Sequence, residues 1–219
     1  MSNLHQFFEY TNHSNLNFKQ KSVMTTKKEF LSNFKNLIIE EIELESKNSI
    51  WKNSKFEEIQ YLTIDRVGRI GEKAIYDVLK KQNKVELFWD GDCNTGQTDG
   101  TYDMLIDKKR FEIKTARLGK GGNFQHEGIK QTGWDKLLFV DIAPNKIYLT
   151  IIDNSELFPL KRHDVFGIKP HLRRDKHNHK FDLRISHLNK GIISKQTIEL
   201  NSIDSNENLI TNFILNHLN

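Results

Sequence analysis

Cysteine is almost missing: Cys93 is the only one in 219 residues. A single thiol excludes an intrachain disulfide framework and any zinc site built on cysteines. Proline is scarce too, limited to Pro144, Pro159 and Pro170. No apolar run approaches the length needed to cross a bilayer, and the first residues lack a hydrophobic signal segment. The chain therefore reads as soluble and cytoplasmic. No internal repeat is visible. Gly119-Lys120-Gly121-Gly122 is basic and glycine-rich, but it lacks Walker spacing and a following Ser or Thr, so no nucleotide-binding loop is expected there.

Net charge is also small, with 33 Lys and Arg against 29 Asp and Glu, a net +4. Its distribution is uneven. Residues 161–195 hold ten Lys or Arg, three Asp and five His, a formal +7 that leaves −3 for the rest. Such a concentration is the footprint expected of a phosphate-binding surface.

Against this background the stretch 102–117 stands out. Tyr102, Met104 and Ile106 alternate, which predicts a strand with Asp103 on its opposite face. Asp107-Lys108-Lys109 reads as a turn. In the returning strand, Phe111, Ile113 and Thr115 share one face, while Glu112, Lys114 and Ala116 share the other. Two carboxylates and an ammonium can thus converge on adjacent strands. Metal-assisted hydrolysis of a phosphodiester needs such a set. Carboxylates hold a hard cation such as Mg²⁺, the metal polarises the phosphoryl group and acidifies a water, and a lysine offsets the developing charge. The alternative is a solvated hairpin with accidental charges.

Asp103, the nine-residue step to Glu112, and Lys114 resemble the PD-(D/E)XK nuclease superfamily, which includes many type II restriction endonucleases. Tyr102 stands where the motif has proline. The resemblance covers roughly residues 64–153 and implies an α/β, restriction-endonuclease-like fold, a mixed β-sheet flanked by helices. It implies Mg²⁺ held by Asp103, Glu112 and the main chain of Ile113, with Lys114 catalytic. Glu72, on a helix before the strands, matches an acid serving a second metal, or else is a surface residue paired with Arg69 or Lys73. Gln125, after the acid–lysine strand, is a further match. Double-stranded DNA is the implied substrate, and a homodimer acting on a palindrome the implied assembly.

The remaining elements supply context. Residues 1–62 are expected to form an irregular arm and a helical extension that opens at a Thr26/Glu29 capping box. Phe30, Phe34, Leu37, Ile38 and Ile42 recur along it at helical spacing. Residues 63–153 are the expected catalytic core. Within it Thr63–Lys81 reads as a helix with an apolar stripe of Ile64, Val67, Ile70, Ala74, Ile75, Val78 and Leu79, thinned at Gly68 and Gly71. Residues 84–89 read as a strand, and 90–100 as a loop whose Asp92 and Asp99 are either turn residues or metal ligands. Phe124–Gln131 is expected to be a short helix with Gln125 and His126 near its start, where free N–H groups could bind phosphate. Residues 136–142 and 146–152 read as strands joined at Pro144.

Residues 154–219 form the expected recognition region. Arg173, Arg174 and Asn178 suit base edges, while Lys176, Lys180 and Lys120 suit phosphates. A merely solvated loop is the alternative, and zinc at His171, His177 and His179 is a weaker one. A strand over 181–185 and an amphipathic helix over 204–218, capped by Asp204, close the chain. Two other functions remain open: a junction-resolving or repair nuclease of the same superfamily, and a DNA-binding protein without catalysis.

Overall fold

The computed structural model describes residues 31–92, 100–158, 171–172, 178–188, 195–201 and 207–218, with backbone alone at 171, 172 and 178. Two compact units divide the chain between Lys52 and Asn53. In the first, helix α1 occupies 31–47, as the apolar spacing predicts. Its expected cap at Thr26 and Glu29 lies outside the described residues, as do Cys93, Asp99, Pro159, Pro170, Asp204 and the arm.

The second unit is a mixed α/β structure. Helix α2 (Ile64–Gln82) begins where the Thr63 hydroxyl accepts from the Arg66 N–H at 3.4 Å, and ends at Asn83 in the left-handed region. Asp65 in the first turn and Lys80 and Lys81 in the last complement the helix dipole. Its buried stripe is narrower than the sequence suggests: Val67, Gly71, Ile75, Tyr76 and Leu79 face inward, whereas Ile64 and Ile70 are exposed.

Six strands form the main sheet in the order β1-β2-β3-β5-β6-β9. They are β1 (Leu87–Trp89), β2 (Met104–Ile106), β3 (Lys109–Arg117), β5 (Lys136–Ala143), β6 (Lys146–Asp153) and β9 (Thr197–Leu200). Only β3 and β5 run parallel; every other neighbouring pair is antiparallel. All of β5 is buried, consistent with its unbroken apolar run covered on both faces. A second, antiparallel sheet orders β4 (Asn123–Lys130), β8 (Asn178–Arg184) and β7 (His171–Leu172).

Strand β4 corrects an expectation. Phe124–Gln131 is not a helix: it pairs with β8, Phe124 opposite Leu183 and His126 opposite Phe181. The register shifts between His126 and Ile129, where Gly128 takes a φ of 74°. That bulge inserts an extra residue and breaks the two-residue alternation by which a strand is recognised.

The two faces of the main sheet are covered differently. One packs Ile113, Leu138 and Ile151 under α2 and helix α5 (Glu207–Asn216), with Ile75, Leu79 and Ile214 in the same core. On the other, Ala116, Leu137 and Phe139 meet Phe124, Ile129, Phe181 and Leu183 of the second sheet. Two one-turn helices, α3 (Asn154–Leu157) and α4 (Ile185–Leu188), follow β6 and β8, the first opened by an Asp153/Glu156 capping box. The 3-10 turn Glu57–Tyr61 is held by Arg117, whose guanidinium donates to the Leu62 carbonyl at 2.8 Å.

Candidate active site

Strands β2 and β3 form the hairpin expected between 102 and 117, with Met104 opposite Phe111. Asp103 precedes β2 and continues its pairing, its N–H donating to the Phe111 carbonyl at 2.9 Å. Its carboxylate turns back and accepts from the Ile113 N–H at 2.7 Å. One oxygen of Asp103 is thus fixed beside the main chain of Ile113. On β3 the parallel register sets Glu112 beside Leu137 and Lys114 beside Phe139. Glu112 and Lys114 therefore lie on the face covered by the second sheet, and the Lys114 ammonium contacts a Glu112 oxygen at 2.5 Å.

Electrostatics join a fourth residue to this set. Burial raises the pKa of Glu72, and the charge of Asp103 raises it further; the Trp89 indole N–H, donating at 3.3 Å, opposes both. Burial likewise pushes Asp103 and Glu112 above the ordinary carboxylate range, while Lys114 pulls both down. For Lys114 burial acts in the other direction, but Glu112 and Asp103 outweigh it and its pKa is raised. The group is a set of crowded, poorly hydrated acids with one buried lysine among them. Glu72 is not the surface partner of Lys73, which pairs with Asp77.

No protein-family model matches the chain, and no curated protein does. The site is therefore read from its own geometry. Two residues join it that sequence reasoning missed. Asp90, after β1, raises the Asp103 pKa, and Lys130, at the end of β4, lowers those of both Asp103 and Glu112. Lys130 is anchored through its carbonyl, which accepts from the buried Trp134 indole at 2.9 Å, and it stands opposite Asn178 in the register. No local pattern announces either residue, because each arrives from a distant part of the chain.

Other expected residues lie elsewhere. Gln125 is exposed on β4 opposite Asp182, on the face turned away from the main sheet, so it is not brought to the carboxylates. His126 is buried, stacks on Phe139 with ring centres 4.2 Å apart, and contacts Asp141 at 2.8 Å; it is a packing residue. Asp92 accepts from the Tyr76 hydroxyl and from Lys80, which ties α2 to the loop after β1. Lys120 is exposed in a turn closed by the Gly122 N–H to the Gly119 carbonyl. Lys180 lies 3.3 Å from Glu127. Asn178 is described by its backbone alone, and Arg173, Arg174, Lys176 and His177 lie outside the described residues.

Among the described residues no three His, Cys, Asp or Glu side chains make a ready-made metal cluster. The donor chemistry still fits Mg²⁺. Asp103 and Glu112 each have one oxygen engaged and a second to offer, and the main chain of Ile113 is pinned beside Asp103. All are hard oxygen donors, and burial leaves both acids above their ordinary pKa, which a divalent cation would reverse.

No helix among the described residues is long and apolar enough to cross a membrane.

Proposed function

We propose that this protein is a Mg²⁺-dependent endonuclease that hydrolyses phosphodiester bonds of double-stranded DNA, in the manner of type II restriction enzymes of the PD-(D/E)XK superfamily. The observation that carries the reading is the convergence of Asp103, Glu112 and Lys114 on one hairpin, with both acids held above their normal pKa. Element order supports it as well. Helix α2 precedes the antiparallel run β1-β2-β3, and the chain then crosses over to β5, parallel to β3. The crossover departs from the expected pattern by running through strand β4 rather than a helix.

Asp103, Glu112 and the Ile113 carbonyl would hold the metal. When bound, it supplies Lewis-acid polarisation of the phosphoryl group and lowers the pKa of a water. Lys114, fixed by Glu112, orients the attacking water and offsets negative charge growing on the phosphoryl oxygens. Burial of the set strengthens each of these interactions, because little solvent screens them. Water attacks phosphorus and gives a proton to solvent, the bond to the leaving sugar oxygen breaks, and that oxygen takes a proton from solvent to leave as a hydroxyl. Glu72, next in the electrostatic chain, would position a second cation. The strongly basic 161–195 segment would bind the DNA backbone, and Asn178 within it, the first residue of β8, pairs with Lys130 beside the acids.

The test is to incubate the protein with a plasmid library in Mg²⁺ and sequence the new ends. Ends that share a short motif support a site-specific enzyme. Ends confined to branched substrates support a junction-resolving nuclease instead, and intact DNA that remains bound supports a non-catalytic DNA-binding protein.

A further inference from the structure

Where β3 and β5 begin, a groove of about 460 Å³ is lined by Lys109, Arg110, the loop 131–136 and Asn154. The loop follows Lys130 directly, and the charge of Lys130 acts on both Asp103 and Glu112. Thr101, two residues before Asp103, donates its hydroxyl to the Gly133 carbonyl at 3.4 Å. The groove thus starts beside the acids. Lys109 stands three residues from Glu112 along β3, about 10 Å at the usual rise of a strand. That length spans more than one nucleotide, at about 3.4 Å of duplex axis each.

The loop is braced from several sides. The buried Trp134 indole donates to the Lys130 carbonyl, the Asn154 amide to the Gln131 carbonyl, and the Asp135 N–H to the Arg110 carbonyl, each at 2.9 Å. Gly133 has a φ of 104°, and a Cβ there would meet that of Thr101 at 2.9 Å, so only glycine suits the point where loop and strand touch. Such bracing fixes the groove's shape in advance, which lowers the entropy cost of binding.

Charge says what the groove takes. Around it Lys109, Arg110, Lys130 and Lys136 stand against two carboxylates, Asp135 and Asp153. Arg110 is engaged by Asp135 through two contacts at 2.9 and 3.2 Å, and Lys136 by Asp153 at 2.5 Å. Lys109 and Lys130 make no ion pair among the described residues; the first is half-buried and the second exposed. Two ammoniums left over beside a rigid polar groove suit phosphate oxygens, with the exposed Thr132 hydroxyl as a neutral donor.

We propose that Lys130 and Lys109 form a subsite for the phosphates that flank the cleaved bond on one strand, with the groove as the track of the sugar–phosphate backbone. Lys130 takes the neighbouring phosphate and Lys109 one further out. The inference rests on the endonuclease reading only for where the bond is cut.

Two titrations test it. In EDTA, fluorescence anisotropy follows a short DNA duplex binding to wild type, Lys130→Gln, Lys109→Gln and the double variant. Each substitution should lower the slope of log affinity against log salt by about 0.9, with the melting temperature kept. A double variant with the wild-type slope overturns the subsite, whether or not the protein cuts DNA. In Mg²⁺, duplexes carry one uncharged methylphosphonate at each position in turn around the cut. Wild type should show a raised KM, more than a lowered kcat, when a flanking phosphate is neutralised. Lys130→Gln should be indifferent at the position next to the cut, and Lys109→Gln at one further out. Equal sensitivity of wild type and both variants at every position overturns the proposal. Uncut DNA would sink the endonuclease reading alone and leave the salt slopes to decide the subsite.

Discussion

At Lys114 two effects compete. Burial favours the neutral amine, while Glu112 and Asp103 favour the ammonium, and the acids win. The lysine is therefore charged at neutral pH, which suits a group that offsets phosphoryl charge rather than one that removes a proton. Lys114→Ala should slow cleavage by about 10²–10³-fold with DNA affinity nearly unchanged. Loss of binding with normal turnover of bound DNA would instead make Lys114 a phosphate anchor. The acids give a second prediction. Glu72, Asp103 and Glu112 all have raised folded-state values. The native protein keeps protons that the unfolded chain has released, so between the ordinary and raised values its stability falls as pH rises. Asp135 has the opposite sense. Its pKa is lowered, first by the Arg110 side chain, so its stabilisation is present above the ordinary value and lost as pH falls through the folded one. The melting temperature of metal-free protein should thus decline as pH rises above the ordinary carboxylate range, near about 4, toward the raised folded-state values. Mg²⁺ should restore it at neutral pH, and Glu112→Gln should flatten both responses. A melting temperature indifferent to Mg²⁺ at pH 7 would contradict the metal assignment.

At the scale of elements the critical contact is α2 on β3. A Cβ added at Gly71 would overlap the Thr115 side chain, whereas one at Gly68 meets nothing. Gly71 lets the helix lie against the strand that carries Glu112 and Lys114, while Gly68 contributes only its carbonyl, 3.4 Å from the Thr115 hydroxyl. Gly71→Ala should cost about 1–3 kcal/mol by overpacking, read as a lower melting temperature, and should slow cleavage by displacing Glu72. Gly68→Ala should be neutral or mildly stabilising. Equal effects of the two would mean that helix propensity, not close packing, governs both. The same comparison marks what the sequence makes legible. The β2–β3 hairpin can be read because Met104, Ile106, Phe111 and Ile113 alternate without interruption. Strands β5 and β6 are legible from their length and apolar content. Strand β4 is not, since the Gly128 bulge moves its next buried residue to Ile129, three positions after His126, a spacing that suits a helix. Asp90, Lys130 and the His126–Asp141 pair meet their partners across distant segments, and local periodicity carries no signal for such contacts.

On the scale of the whole molecule, the positive charge of 161–195 contrasts with a remainder of net negative sign. Each phosphate neutralised on double-stranded DNA contributes about 0.9 to the slope of log affinity against log salt. Lys176→Ala should reduce the slope by about that amount, in titrations at several salt concentrations. Lys180→Ala should reduce it less, because Glu127 already shares its charge. Arg173, Arg174 and Asn178 would act on sequence choice, each worth roughly 1–3 kcal/mol of discrimination at one base pair. An unchanged slope after both lysine substitutions would assign backbone binding to another surface. The central claim, however, is hydrolysis by the hairpin acids, and one measurement addresses it directly: relaxation of supercoiled plasmid by wild type, Asp103→Asn and Glu112→Gln, in Mg²⁺ and in EDTA. The account predicts nicked and linear product from wild type in Mg²⁺ alone, with none from either folded variant. Intact plasmid in every lane, or cleavage that survives both substitutions, would contradict it.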